Sequence, residues 1–170
     1  MILYAAFVGL VFLSAFFSGS ETSLFSIDKV TRNRLHQSKQ RLDRALAKLL
    51  ATPRRLLITI LLGNEVTNVA LSVVGASIAQ DSLSHLSPPQ QALVSACIVV
   101  PILLIIGEIT PKTLSAHKSE PVARILVGPL TVFAFIVHPL VLFLKVFSGA
   151  LVRFFSREVT ESTADSQVEI

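Results

Sequence analysis

Apolar residues in this chain fall in long blocks, with neither the 3.6-residue period of a helix half in water nor the alternation of a half-buried strand. The blocks predict membrane-spanning helices over about 2–25, 56–79 and 92–110. Each is long enough, at 1.5 Å per residue, to cross the roughly 30 Å apolar core of a bilayer. Between the first two blocks, residues 28–52 predict an amphipathic helix. Leu35, Leu42, Ala45, Leu46, Leu49 and Leu50 share one face, basic residues occupy the other, and Pro53 ends the helix. The last apolar stretch, 122–155, is interrupted by Gly128-Pro129 and His138-Pro139. It reads as two or three shorter helices over 120–157 that lie along, or dip into, the inner leaflet. The segment 158–170 is acidic and rich in Ser and Thr, as in a flexible linker to a cytoplasmic domain beyond it.

Composition agrees with an all-α membrane protein. Apolar residues make up 52% of the 170 residues, charged residues only 15%, and mean hydropathy is +0.68. A soluble domain carries about a quarter charged residues. The lone Cys97 has no partner for an intramolecular disulfide.

Charge placement then orients the spans. Nine cations from Lys29 to Arg55 crowd between the first and second blocks, whereas Leu56 to Pro111 contains no Lys or Arg. Short loops rich in Lys and Arg stay cytoplasmic. The expected topology is therefore an outside N-terminus, three crossings and a cytoplasmic C-terminus. A single crossing by 122–155 would place Lys145, Arg153 and Arg157 outside, against that rule. The N-terminus also lacks the positive region of a cleaved signal peptide. Nucleic acid is not an expected partner, because no stacking aromatics are interleaved with the basic run.

Polar groups inside a span are costly and face a cavity, a partner or an ion. Each expected span has such a cluster. In the first, Ser14, Ser18 and Glu21 form one helical stripe beside Gly19. The second has Gly63, Asn64 and Asn68, with Glu65, Thr67 and Ser72 nearby. In the third, Gly107-Glu108 precedes Pro111-Lys112. Proline lacks an N–H and clashes with the carbonyl four residues back, here that of Gly107. The expected result is a helix break that frees this carbonyl beside the Glu108 carboxylate. All these groups are hard oxygen donors, suited to Mg²⁺ or Ca²⁺ rather than Zn²⁺ or Cu⁺.

Structural alternatives accompany each of these residues. Ser14, Ser18 and Gly19 could only pack helices, and the two asparagines could only hydrogen-bond across them. Glu108 could pair with Lys112, four residues on. Glu21 and Glu65 could meet the basic surface. The four histidines are scattered and read as structural. An intramembrane hydrolase using Ser18 or Ser20 fails because no His lies in the expected spans to activate the serine. The chain is therefore not expected to be an enzyme.

The segments Leu13–Thr22, Leu61–Asn68 and Gly107–Lys112, in this order and spacing, resemble the CNNM/CorC family of Mg²⁺ transporters. The resemblance implies a homodimeric transmembrane domain over 1–157 with three spans and a juxtamembrane belt, in the cell membrane. It implies a cytoplasm-facing Mg²⁺ site made by Ser14, Ser18, Asn64, Asn68, Gly107 and Glu108, with Glu21 as a supporting residue. It also implies Mg²⁺ export, with Na⁺ as coupling ion, and regulation by a nucleotide-binding cytoplasmic CBS pair not contained in these residues. The competing expectation is a non-transporting membrane anchor that senses Mg²⁺ for that module.

Overall fold

The computed structural model describes residues 1–144, 146 and 147, and among these the protein is helical with no strand. α1 covers Ile2–Phe25, α2 Lys29–Gln37, α3 Arg41–Leu50 and α4 Pro53–Ser82. α5 (Pro88–Ile102) runs into a π-helical segment (Leu103–Ile109) and then α6 (Thr110–His117); α7 covers Ser119–Ile136. The backbone is helical again over 138–144. The expected linker 158–170 and the end of the 120–157 belt lie outside the described residues.

Three long rods form the bundle: α1, α4 and the run from Pro88 to His117. The last two have 30 residues each, or roughly 45 Å, so they extend past the apolar core of a bilayer. Their outward faces carry large apolar side chains, including Phe12, Val66, Val73, Leu93 and Ile105, all exposed. That inside-out arrangement is what a helix facing lipid requires. With α7 included, four helices among the described residues are long and apolar enough to cross, one more than expected. α7, however, buries Ala123, Val127 and Leu130 only against the end of the bundle that carries the basic helices, in one cluster with Leu24, Leu46, Leu50, Leu56 and Ile60. Its Phe133 ring lies 4.7 Å, centroid to centroid, from Phe17.

The helices differ from expectation at three places. The amphipathic helix expected over 28–52 is two helices, because Ser38 and Gln40 adopt extended backbone and turn the chain between them. Asp28 begins the first of the two as N-cap, accepting the Thr31 N–H at 3.1 Å, which lowers its carboxyl below the usual range. α3 buries Asp43, Leu46, Ala47 and Leu50, while Leu42 is exposed. Gly128-Pro129 does not interrupt α7, since a single missing N–H is tolerated inside a long helix; the break falls at Val137, just before His138-Pro139. The break expected at Pro111 is absent. There the helix widens instead, and the Thr110 N–H reaches back five residues to the Ile105 carbonyl. Pro111 then sits in the first turn of α6, where it owes no N–H.

Small residues set how closely the rods approach. A Cβ on Gly63 would land on the ring of Phe17, and one on Gly75 would lie 2.6 Å from Val99 Cγ2. Gly9, by contrast, has open space beside it. Gly63→Ala is expected to destabilise the protein by about 1–3 kcal/mol through overpacking, whereas Gly9→Ala loses nothing. Thermal unfolding of both variants in detergent checks this; equal melting temperatures would contradict the packing described.

Candidate functional site: a polar centre between three helices

α1 and α4 run antiparallel, so Ser14 to Ser18 and Asn68 to Asn64 descend together toward the basic end. The contact of Gly63 with Phe17 fixes the register: it sets Asn64 at the level of Ser18 and Asn68 at that of Ser14. Ser14 Oγ donates to Asn68 Oδ1 at 3.0 Å, and Asn68 Nδ2 donates to Glu108 Oε1 at 3.2 Å. These two bonds together define which way the Asn68 amide points. Ser18 Oγ reaches the Glu108 carbonyl at 3.4 Å. One polar chain thus links α1, α4 and the π-helical segment.

Gly107 makes that chain possible. A Cβ there would lie 2.9 Å from Ser14 Oγ, so a larger residue would push α1 away. Gly19 does the same one turn lower, where an added Cβ would lie 3.1 Å from Ser115 Oγ and 3.7 Å from Pro111 Cβ. Ser14 and Ser18 are fully buried in consequence. The π-helix has its own effect. A segment with an extra residue per turn turns its side chains relative to the α-helices on either side, and such segments recur at functional sites. Here it carries both Gly107 and Glu108.

Asn64 is the unbalanced member. It is buried, and its Oδ1 has no hydrogen-bond partner. An orphaned buried acceptor costs about 1–3 kcal/mol. Its neighbour Thr67 is satisfied, donating to the Gly63 carbonyl at 2.7 Å.

The remaining charged residues sort themselves. Lys112 pairs with Glu21 at 3.4 Å, not with Glu108, so the expected alternative of a Glu108–Lys112 ion pair is not what forms. This leaves Asn68 as the side-chain partner of the Glu108 carboxylate. Glu65 is exposed on α4 and joins none of these contacts among the described residues. Among the described residues no three His, Cys, Asp or Glu side chains come together. A cation in the polar centre would meet one carboxylate and several neutral oxygens.

Asp43 is the residue the sequence reading passed over. It is buried at the basic end and pairs with Arg124 at 3.1 Å, Arg124 in turn meeting Glu120 at 3.0 Å. The signal was present: Asp43 precedes Leu46, Ala47 and Leu50 at i+3, i+4 and i+7, on the stripe that packs.

Bundle, lipid-facing surface and buried polar centre together define a multi-pass α-helical membrane protein with polar groups gathered between its helices. The chain belongs to the CNNM family, described as the cyclin M transmembrane N-terminal domain, whose model matches residues 5–170. It is 30% identical over 141 residues to a UPF0053 protein of Haemophilus influenzae, covering 83% of this chain and 33% of that protein. To the UPF0053 inner membrane protein YfjD of Escherichia coli it is 28% identical over 144 residues, 83% of this chain and 32% of the relative. A chloroplastic DUF21 domain-containing protein of Arabidopsis thaliana, At1g55930, is 32% identical over 129 residues, 75% of this chain and 19% of the relative. The chain spans about a third or less of the length of these relatives.

Coupling within the polar chain is measurable. Ser14→Ala and Asn68→Ala each break the Ser14–Asn68 bond, so their destabilisations are expected to overlap by about 0.5–1.5 kcal/mol in a double-mutant cycle. Strict additivity of the two in unfolding experiments would show that the bond carries no energy.

Proposed function

We propose that this chain is the membrane domain of a divalent-cation transporter, with Mg²⁺ as the substrate bound between α1, α4 and the π-helical segment. The observation that carries this reading is the orphaned Asn64 Oδ1, at the level of Ser18 and one turn from the Ser14–Asn68–Glu108 chain. A buried acceptor without a donor is what a cation satisfies, because a metal ion supplies no proton and needs only lone pairs. Ser14, Ser18, Asn64, Asn68, the Gly107 carbonyl and Glu108 form a hard, oxygen-only donor set, and Mg²⁺ is held by one or two carboxylates with waters retained. The net charge of such a set is low, which suits an ion that must also leave.

Ser18, Asn64, Gly107 and Glu108 lie nearer the basic end, and Ser14 and Asn68 lie at mid-helix. Asn64 is 11 residues into α4 and Gly107 is 10 residues before the end of α6, distances of roughly 15 Å along the helices. With the basic end cytoplasmic by the charge rule, the site faces the cytoplasm of a multi-pass protein whose N-terminus is outside. Export, with Na⁺ as the coupling ion, rests on the family resemblance and is part of this proposal. The homodimer belongs to the same proposal, as do regulation by a nucleotide-binding CBS module and membership of the cell membrane.

Glu108→Ala is expected to abolish Mg²⁺ binding in calorimetric titrations of the purified chain; undiminished binding would remove the assignment. Asn64→Leu is expected to act with opposite signs in two conditions. It raises the melting temperature without metal, by relieving the orphaned acceptor, and eliminates the stabilisation that Mg²⁺ confers on the parent protein. Flux separates transport from sensing: liposomes containing the chain should lose trapped Mg²⁺ in a Glu108-dependent manner. Binding without flux would favour the sensing anchor, a reading that needs the further length of relatives about two and a half times as long as this chain.

A further inference from the structure

At the basic end, α3, the first turns of α4 and the second half of α7 enclose a crevice of about 570 Å³, within the roughly 300–1,000 Å³ of ligand-binding clefts. Its walls carry four cations: Arg41, Arg44 and Lys48 in one stripe of α3, and Arg55 facing them from α4. Among the described residues no acidic side chain lines it. The cations elsewhere at this end are different. Arg34 is paired with Glu120, Arg124 with Asp43 and Glu120, and Lys112 with Glu21. Among the described residues, none of the crevice's four cations is in an ion pair. The internal carboxylates are thus spent on one side of the bundle end, leaving the other side positive.

Other polar groups in the crevice do not compete with these donors. Thr59 and Thr131 donate to the carbonyls of Arg55 and Val127 in their own helices. Apart from Thr52, the rest of the lining is apolar, from Leu56 at the base to Leu49 and Phe135. On the α7 side the crevice opens onto Val132, Phe135 and Ile136, all exposed and apolar, on a helix apolar enough to lie in a membrane. One wall is therefore at headgroup chemistry and the other at acyl-chain chemistry.

We propose that this crevice is a binding site for an anionic phospholipid of the leaflet at the basic end. Its phosphate sits among Arg41, Arg44, Lys48 and Arg55, and its acyl chains run along Leu49 and the exposed face of α7. Arginine forks suit phosphate oxygens in bidentate contact, and basic clefts between membrane helices bind anionic headgroups. The apolar opening selects a lipid over a free phosphate, which would leave Phe135 and its neighbours without a partner. The site is separate from the polar centre, so it stands whether or not Mg²⁺ is the substrate.

Native mass spectrometry of the purified chain tests this, with phosphatidylglycerol and phosphatidylcholine offered in equal amounts. The parent chain is expected to retain one phosphatidylglycerol in preference to phosphatidylcholine. Affinity should fall about fivefold for each cation removed, so Arg44→Gln combined with Lys48→Gln loses the bound lipid. Lys29→Gln with Lys39→Gln, the same charge change on exposed cations outside the crevice, should retain it, and so should Arg44→Lys. Equal loss in both double variants would reduce the effect to diffuse surface charge and overturn the proposal, as would equal retention of the two lipids. Displacement of the lipid by millimolar inorganic phosphate would identify a free-anion site and also overturn it. Circular dichroism of each variant confirms that its helices are intact, as expected for substitutions at exposed side chains.

Discussion

Everything in the bundle depends on how closely α1 can approach two helices at once. Ser14 is packed between Asn68 of α4 and Gly107 of the π-helical segment. In lipid the apolar driving force between helices is lost, because acyl chains solvate leucine as well as another leucine does. What remains is van der Waals contact and hydrogen bonding, and both need short distances. Small residues on the facing surfaces supply them: Gly63 under Phe17, Gly107 against Ser14, Gly19 against Ser115. The same closeness that holds the helices together brings their oxygens into one place. Packing and polar chemistry are therefore one problem here, and any side chain that loosens the first dilutes the second.

The π-helical segment accommodates Pro111 within this constraint, whereas Pro101 and Pro129 sit in α-helices without such widening. A proline at that position in an uninterrupted α-helix would clash with the Gly107 carbonyl. Widening the turn by one residue avoids the clash without breaking the rod, and the Thr110 N–H finds the Ile105 carbonyl instead. The rod survives, and Glu108 is turned toward Asn68. Glu21 then takes Lys112, which would otherwise neutralise Glu108 along the helix.

Much of this arrangement was legible in the sequence, for reasons that can be stated residue by residue. The spans were visible because nothing but lipid rewards apolar blocks that long, and Ser14, Asn68 and Glu108 stood out because polar groups are rare inside them. Their spacing along each helix showed that they share faces. The sequence could not show that Pro111 would be absorbed by a wider turn, since widening and breaking satisfy the same steric demand. Nor could it show the division of 28–52 at Ser38, as no proline or glycine marks the bend. Asp43 was hidden differently: its partner Arg124 is 81 residues away, and only the docking of α7 on α3 brings them together.

The bundle's apolar packing is unevenly divided between its ends. Twelve buried residues, reaching from Phe17 to Leu130, form the cluster at the basic end, while Val11, Leu71 and Val99 form the cluster at the other. Tyr4 and Ser82, 3.0 Å apart through their hydroxyls, are a thin clasp at the far extremity. Mechanically the three rods resemble tweezers, clamped at the basic end and compliant at the other. Elastic deformation concentrates where the clamp is weakest, so thermal splaying is expected to be largest near Tyr4 and Ser82. The polar centre sits close to the fulcrum, where a small change in separation is geared to a large excursion at the tips.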